Sequence, residues 1–233
     1  MQTETLFEDI NINALKLEIR QLEYQLNAYN NEKIELDQLL SEFHHRHTNE
    51  LGSYIEKLLN LRKIITKDDP VEYAEAVQDE EDYKEQTKIE SEKTIYELTD
   101  CQRVELKKAY RKASQICHPD RVNEDMKEIA QEVFIQLNDA YKKNDVAEVK
   151  KVLSELKEGV FKPRSETVRK AEQLKVIIQI LKHKIEKVEQ DIFEIKTSED
   201  YQIISDITDW NVYFEEIKAQ LVEEINYIET NAV

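Results

Sequence analysis

Glycine and proline are scarce in this sequence, which has two glycines and three prolines among 233 residues. Because these residues form many of the turns between secondary-structure elements, their scarcity argues against a fold with many turns. Charged residues make up 36% of the chain. This composition is typical of long helices, and we therefore predict an all-α protein.

Cysteine is equally scarce, since the chain has only Cys101 and Cys117, sixteen residues apart. Two cysteines at this spacing are better interpreted as small apolar residues than as a disulfide or a redox pair. We therefore expect no cysteine chemistry.

Long apolar runs and an overall basic charge are also missing. No stretch approaches the roughly 18 apolar residues that a membrane span needs, and the first residues are acidic where a signal peptide is basic. The formal net charge is -17, whereas phosphate contacts need a basic surface. We therefore expect a cytoplasmic protein with neither a membrane nor a nucleic acid as its partner.

One short segment reverses this acidic charge. Between Asp100 and Arg121 there are six basic residues against three acids, a net of +3. Apolar residues at helical spacing form a stripe in the same segment, and they are Val104, Leu106, Ala109, Tyr110, Ala113 and Cys117. Lys107, Lys108, Arg111 and Lys112 lie on the other side. The pattern predicts an amphipathic helix with a basic face.

A helix break follows at His118, Pro119 and Asp120. Proline fixes φ and lacks an N–H donor, so helices tend to end just before it. Beyond the break, apolar residues again recur at steps of three and four, and they are Ile129, Val133, Phe134, Leu137 and Tyr141. We predict a helical hairpin with residues 118–120 at its tip.

Residues 106–121 read LKKAYRKASQICHPDR and residues 134–141 read FIQLNDAY. Both segments resemble the J-domain of the DnaJ family, and the resemblance covers roughly residues 94–143. The resemblance places Tyr110, Phe134, Leu137 and Tyr141 in the core of the domain.

The chain also departs from the family pattern. A typical J-domain opens with a short helix and a Leu-Gly turn, but residues 95–102 contain no glycine, so we expect the end of a longer helix here. Asn144 or Asp145 is expected to cap a fourth helix by accepting from its free amides. The Gly/Phe-rich linker and the four-cysteine pairs of the zinc module are both missing. The chain therefore resembles the simplest class of J-proteins.

The resemblance implies a co-chaperone that binds a DnaK-type ATPase chaperone and stimulates its ATP hydrolysis. The residues that would contact that partner are His118, Pro119, Asp120, Arg121, Lys107, Lys108, Arg111 and Lys112, and we call them the J surface. Complementary charge of this kind speeds encounter more than it adds affinity. We expect no enzymatic activity, no catalytic residue, no cofactor and no metal.

The N-terminal part predicts a coiled-coil helix over residues 1–66. Apolar residues alternate at steps of three and four, and they are Ile12, Leu15, Ile19, Leu22, Leu26 and Tyr29. Lys33 interrupts this seam, which resumes at Leu36 and continues after a shift of phase. His44, His45 and His47 lie near that shift. A metal site would need further ligands, so we interpret them as a polar helix face.

The C-terminal part predicts an antiparallel hairpin over residues 166–233, after a linker at 159–165 and a J-domain-like region at 99–158. Its arms carry two apolar seams, Leu174 to Ile195 and Trp210 to Ile228, with Thr208 or Asp209 as the cap of the second arm. Short connections make such helices antiparallel neighbours. Pairing within the chain competes with self-association, and an unknown protein client is the expected partner of these arms.

Between the first helix and the J-domain, the predicted acidic helix or linker at 67–98 overlaps a run of thirteen acids against three lysines over residues 68–100. Such runs are usually solvated, but a tethered acidic segment can compete with a partner for a basic surface.

Two other functional classes remain. A coiled-coil scaffold would use the J-like hairpin as a structural spacer, and a hydrolase is disfavoured because no nucleophile, metal cluster or phosphate loop accompanies His118 and Asp120.

Overall fold

The computed structural model describes residues 2–91, 95–157, 161 and 171–231. All regular structure in these ranges is helical, which confirms the predicted all-α class. The α-helices are α1 (Gln2–Ile65), α2 (Pro70–Ser91), α3 (Asp100–Cys117), α4 (Lys127–Lys142), α5 (Val146–Leu156), α6 (Ala171–Thr197), α7 (Glu199–Asp206) and α8 (Trp210–Asn231), and a 3-10 turn spans Glu124–Met126.

The chain divides into two compact units. The first comprises Met1–Gln38 and Ile95–Ser198, and the second comprises Leu39–Thr94 and Glu199–Val233. The division falls inside the predicted N-terminal helix and inside the predicted hairpin over 166–233. Each arm of that hairpin packs on a different half of α1, because each half of α1 has its own apolar residues. The predicted linker at 159–165 lies outside the described residues, apart from Phe161.

Helices α3, α4 and α5 share one core in the first unit. Tyr110, Leu137 and Tyr141 are buried there, and Phe134 packs against them while partly exposed. The rings of Tyr110 and Tyr141 lie 4.2 Å apart, and the Tyr110 hydroxyl donates to Asn138 Oδ1 at 2.8 Å. A buried tyrosine needs such a partner for its polar end. The predicted hairpin of α3 and α4 is thus closed by an apolar interior.

The ends of these helices are fixed by local hydrogen bonds. Asp145 caps α5 as predicted, because its carboxylate accepts from Glu148 N at 2.9 Å. Thr99 and Gln102 form a capping box at the start of α3. The expected end of a longer helix at 95–98 was wrong, since residues 95–99 are not helical. Tyr96 N instead donates to Lys143 O at 2.9 Å, which ties this segment to the end of α4.

The N-terminal seam packs on α6 within the first unit. All six predicted seam residues, from Ile12 to Tyr29, belong to one apolar cluster with Leu174, Ile177, Ile178, Leu181, Ile185 and Val188. The two helices are also joined at their edges by ion pairs. Lys182 pairs with Glu18 at 2.8 Å and Lys33 pairs with Asp191 at 2.5 Å. Pairing within the chain therefore buries this seam.

The second unit is built around the other half of α1. The Phe43 ring lies 5.4 Å from that of Trp210 and 5.3 Å from that of Phe214, both on α8. Asp209 accepts from Asn211 N and Val212 N, and so caps α8 as predicted. The acidic helix α2 pairs with the end of α1 through Arg62–Asp79 at 2.5 Å and Lys63–Glu80.

Candidate partner-binding surface

The turn after α3 is held by its own backbone. Helix α3 ends at Cys117, and the N–H of His118 still donates to Ser114 O at 3.0 Å. Pro119 cannot continue the helix, and the chain reverses with Arg121 N donating to His118 O at 2.9 Å. Val122 is buried and anchors the exit of the turn. The His-Pro-Asp sequence therefore lies at the tip of the hairpin, as predicted.

The imidazole of His118 is only 4% exposed. It lies edge-on to the Phe134 ring at 4.8 Å, and its Nε2 is 3.0 Å from the side-chain amide of Asn30 on α1. The N–H of Asp120 donates to Nδ1 at 3.2 Å, so each ring nitrogen has an N–H donor beside it, the backbone amide of Asp120 at Nδ1 and Asn30 Nδ2 at Nε2. Burial lowers the pKa of His118 to about 4, against the opposing effect of the Asp120 carboxylate. The ring is therefore neutral near pH 7.

Asp120 and Arg121 also contact other helices of the first unit. The Asp120 carboxylate pairs with Lys184 on α6, and its side chain is 16% exposed. Arg121 donates through Nη1 to Gln115 O at 2.6 Å, and its guanidinium lies 4.7 Å above the Tyr24 ring on α1. A guanidinium at this distance is attracted by the ring face.

The basic face of α3 meets one carboxylate. Glu35 on α1 accepts from Lys107 Nζ at 2.6 Å and from Arg111 Nη2 at 2.7 Å. The glutamate side chain is 18% exposed, whereas those of Lys107 and Arg111 are about half exposed. Lys108 and Lys112 are exposed. The basic face of α3 is thus divided into a part that is paired with α1 and a part that is open.

Ser114 is the most enclosed polar residue of α3, with no exposed surface. Its hydroxyl donates to Asn31 Oδ1 at 3.0 Å and accepts from Asn27 Nδ2 at 3.4 Å. Asn31 in turn donates to Asn27 Oδ1 at 3.2 Å. Each asparagine therefore has a defined partner beside α3.

These contacts come from a second face of α1, which we call the covering face. Its members lie on one side of the helix, at spacings of one, three and four residues, and they are Tyr24, Asn27, Asn30, Asn31, Ile34, Glu35 and Gln38. This face was not predicted from the sequence, because apolar periodicity indicates only apolar contacts. The asparagines could have indicated it, because asparagine favours caps and turns over helix interiors. Three asparagines within five residues of a long helix therefore suggest hydrogen-bond partners on another helix.

The histidines of α1 lie in the second unit. His44 is 3.3 Å from Asp200, and burial lowers the pKa of His47. Among the described residues, no group of three or more His, Cys, Asp or Glu side chains is placed to hold a metal ion. His44 and His47 line an open cleft of about 590 Å³ together with Tyr83 and Tyr213.

The family model of the DnaJ domain matches residues 98–143. This range contains α3, the turn and α4, so the chain contains a J-domain, as its motifs predicted. No curated protein and no solved structure matches the chain. Within the described ranges, every helix is too short or too polar to cross a membrane.

Proposed function

We propose that this J-domain protein binds a DnaK-type ATPase chaperone through the J surface and stimulates its ATP hydrolysis. The observation that carries the proposal is the intact His118-Pro119-Asp120 turn, held between α3 and α4 beside the basic face of α3. The protein would itself be no enzyme, and it would act in the cytoplasm.

The charge of the J surface supports a transient contact. Six basic residues between 100 and 121 lie in a chain of net charge -17. A local basic surface steers an acidic partner to one place on the protein, and this attraction weakens as salt screens it. We infer a weak, salt-sensitive encounter, as suits a chaperone partner that must be released after each cycle.

Client selection would lie with the helices outside the J-domain. The domain model covers only 98–143, and the second unit has an aromatic cluster around Phe43, Trp210, Tyr213 and Phe214. These helices would bind a protein client, while the J-domain recruits the ATPase.

A structural spacer is the alternative function, and one observation favours it. His118 is buried and Asp120 is paired within the chain, which is what a purely architectural hairpin needs. The two functions differ in one respect, because a spacer does not change the ATPase rate of any chaperone.

The test is ATP turnover by a DnaK-type chaperone from the same host, with the protein in excess. We expect stimulation that His118→Gln and Asp120→Asn each abolish while helix content by circular dichroism is unchanged. His183→Gln and Asp139→Asn are matched controls, because both residues are exposed. Absence of stimulation by wild-type protein in excess, or equal stimulation by all five proteins, would refute the co-chaperone function.

A further inference from the structure

Five of the eight J-surface residues already contact another helix of the same unit. On α1, Asn30 lies against His118, Tyr24 lies under Arg121, and Glu35 pairs with Lys107 and Arg111. On α6, Lys184 pairs with Asp120. With His118 only 4% exposed, a second protein cannot reach its ring while these helices remain in place.

The covering helices offer the J surface the same charged groups that a partner protein would offer. Glu35 offers the carboxylate that a basic surface attracts, and Lys184 offers a cation to Asp120. Lys107, Arg111 and Asp120 of the J surface therefore already have oppositely charged partners within the chain.

The two faces of α1 differ in the free energy needed to separate them from their partners. The seam face is apolar and packs on α6 with Ile19 fully buried, whereas the covering face is mostly polar and includes Ile34 as its one aliphatic member. Polar groups that separate from one another regain hydrogen bonds with water, whereas separated apolar surfaces only lose free energy on exposure. Release from the J-domain is therefore less costly than separation of α1 from α6.

We propose that α1 and α6 form an autoinhibitory cover over the J surface and that the partner chaperone binds only when this cover lifts. The inference rests on the proposed function. A client or another protein that binds the cover would then activate the J-domain, because it would compete with the contacts of the covering face.

Opening can be measured without the partner. Ser114→Cys places a thiol beneath the covering face, and the exposed Cys101 is removed by Cys101→Ser. We expect Cys117 not to react with the maleimide, because burial raises the pKa of its thiol to about 12. The rate at which a maleimide labels the new thiol reports how often the cover lifts.

The variant that loosens the cover is Glu35→Lys, which places a cation against Lys107 and Arg111. Because this substitution destabilises the covered state, we expect it to raise both the labelling rate and the apparent affinity for the chaperone by about fivefold. Glu18→Lys is the matched control, because Glu18 pairs with Lys182 on α6 and belongs to the edge of the seam. We expect it to leave both quantities close to those of the wild type.

The reverse experiment locks the cover. Asn31→Cys and Ser114→Cys, in the Cys101→Ser background, are joined by a disulfide, since the Ser114 hydroxyl lies 3.0 Å from Asn31 Oδ1 and neither residue belongs to the J surface. We expect the joined protein to lose ATPase stimulation and the same sample to regain it after the disulfide is reduced, which controls for the two substitutions.

The outcomes separate the two proposals. Full stimulation by the joined protein, or no change of labelling in Glu35→Lys, would overturn the autoinhibitory cover while the co-chaperone function stands. Faster labelling of Glu35→Lys without stimulation by any form of the protein would overturn the proposed function, and the inference would fall with it.

Discussion

His118 is a proposed contact for the partner chaperone, and yet its side chain is nearly buried within the chain. Its ring is held between Phe134 and Asn30 in a nearly closed site, and burial there lowers its pKa to about 4. Both ring nitrogens lie beside N–H donors, the Asp120 amide at Nδ1 and Asn30 at Nε2. A protonated ring would place an N–H against both of these donors, whereas the neutral ring keeps a lone pair for one of them.

This arrangement predicts a pH dependence of stability. Because the pKa of His118 falls from an ordinary 6.5 to about 4 in the folded protein, the unfolded chain binds more protons between these values. Stability is therefore complete above pH 6.5 and is lost as the pH falls towards 4. The loss at pH 4.5 amounts to about 2–3 kcal/mol.

Urea unfolding at pH 7 and pH 4.5 measures this loss. The free energy of unfolding should fall by that amount more in the wild type and in His183→Gln than in His118→Gln, since His183 is exposed. Equal losses in all three proteins would show that His118 takes up its proton as readily in the folded state as in the unfolded state.

At the scale of elements, the sequence predicted the helices and seams but not the surfaces they meet. The hairpin of α3 and α4 follows from local periodicity and from Pro119, and the cap at Asp145 follows from residue chemistry alone. The covering face of α1 does not, because its asparagines are explained only by Ser114 and His118, more than 80 residues away. The same holds for α6 and α8, whose partners are separate halves of α1.

The cap of α5 offers a test of the J-domain fold. Asp145→Ala removes the acceptor for Glu148 N, and such a loss typically costs about 1 kcal/mol. Thermal unfolding should show a lower midpoint for this variant, with Asp139→Ala on the exposed side of α4 as control. An unchanged midpoint would mean that water replaces the carboxylate at no cost.

At the scale of the whole molecule, the basic residues of the J surface lie in a chain of net charge -17. Glu35 is the observed partner in the first unit. The acidic run at 68–100 remains a predicted competitor, and its described ion pairs include Arg62–Asp79 and Lys84–Glu80. Salt screens such pairs, so any cover that depends on charge weakens as ionic strength rises.

The most direct measurement of a functional but covered J-domain is ATP turnover by the host DnaK-type chaperone, titrated with wild type, Glu35→Lys and Glu35→Lys combined with His118→Gln. We predict that Glu35→Lys reaches half-maximal stimulation at about one fifth of the wild-type concentration, and that the combined variant gives no stimulation although its cover is open. Identical curves for all three proteins would contradict the account.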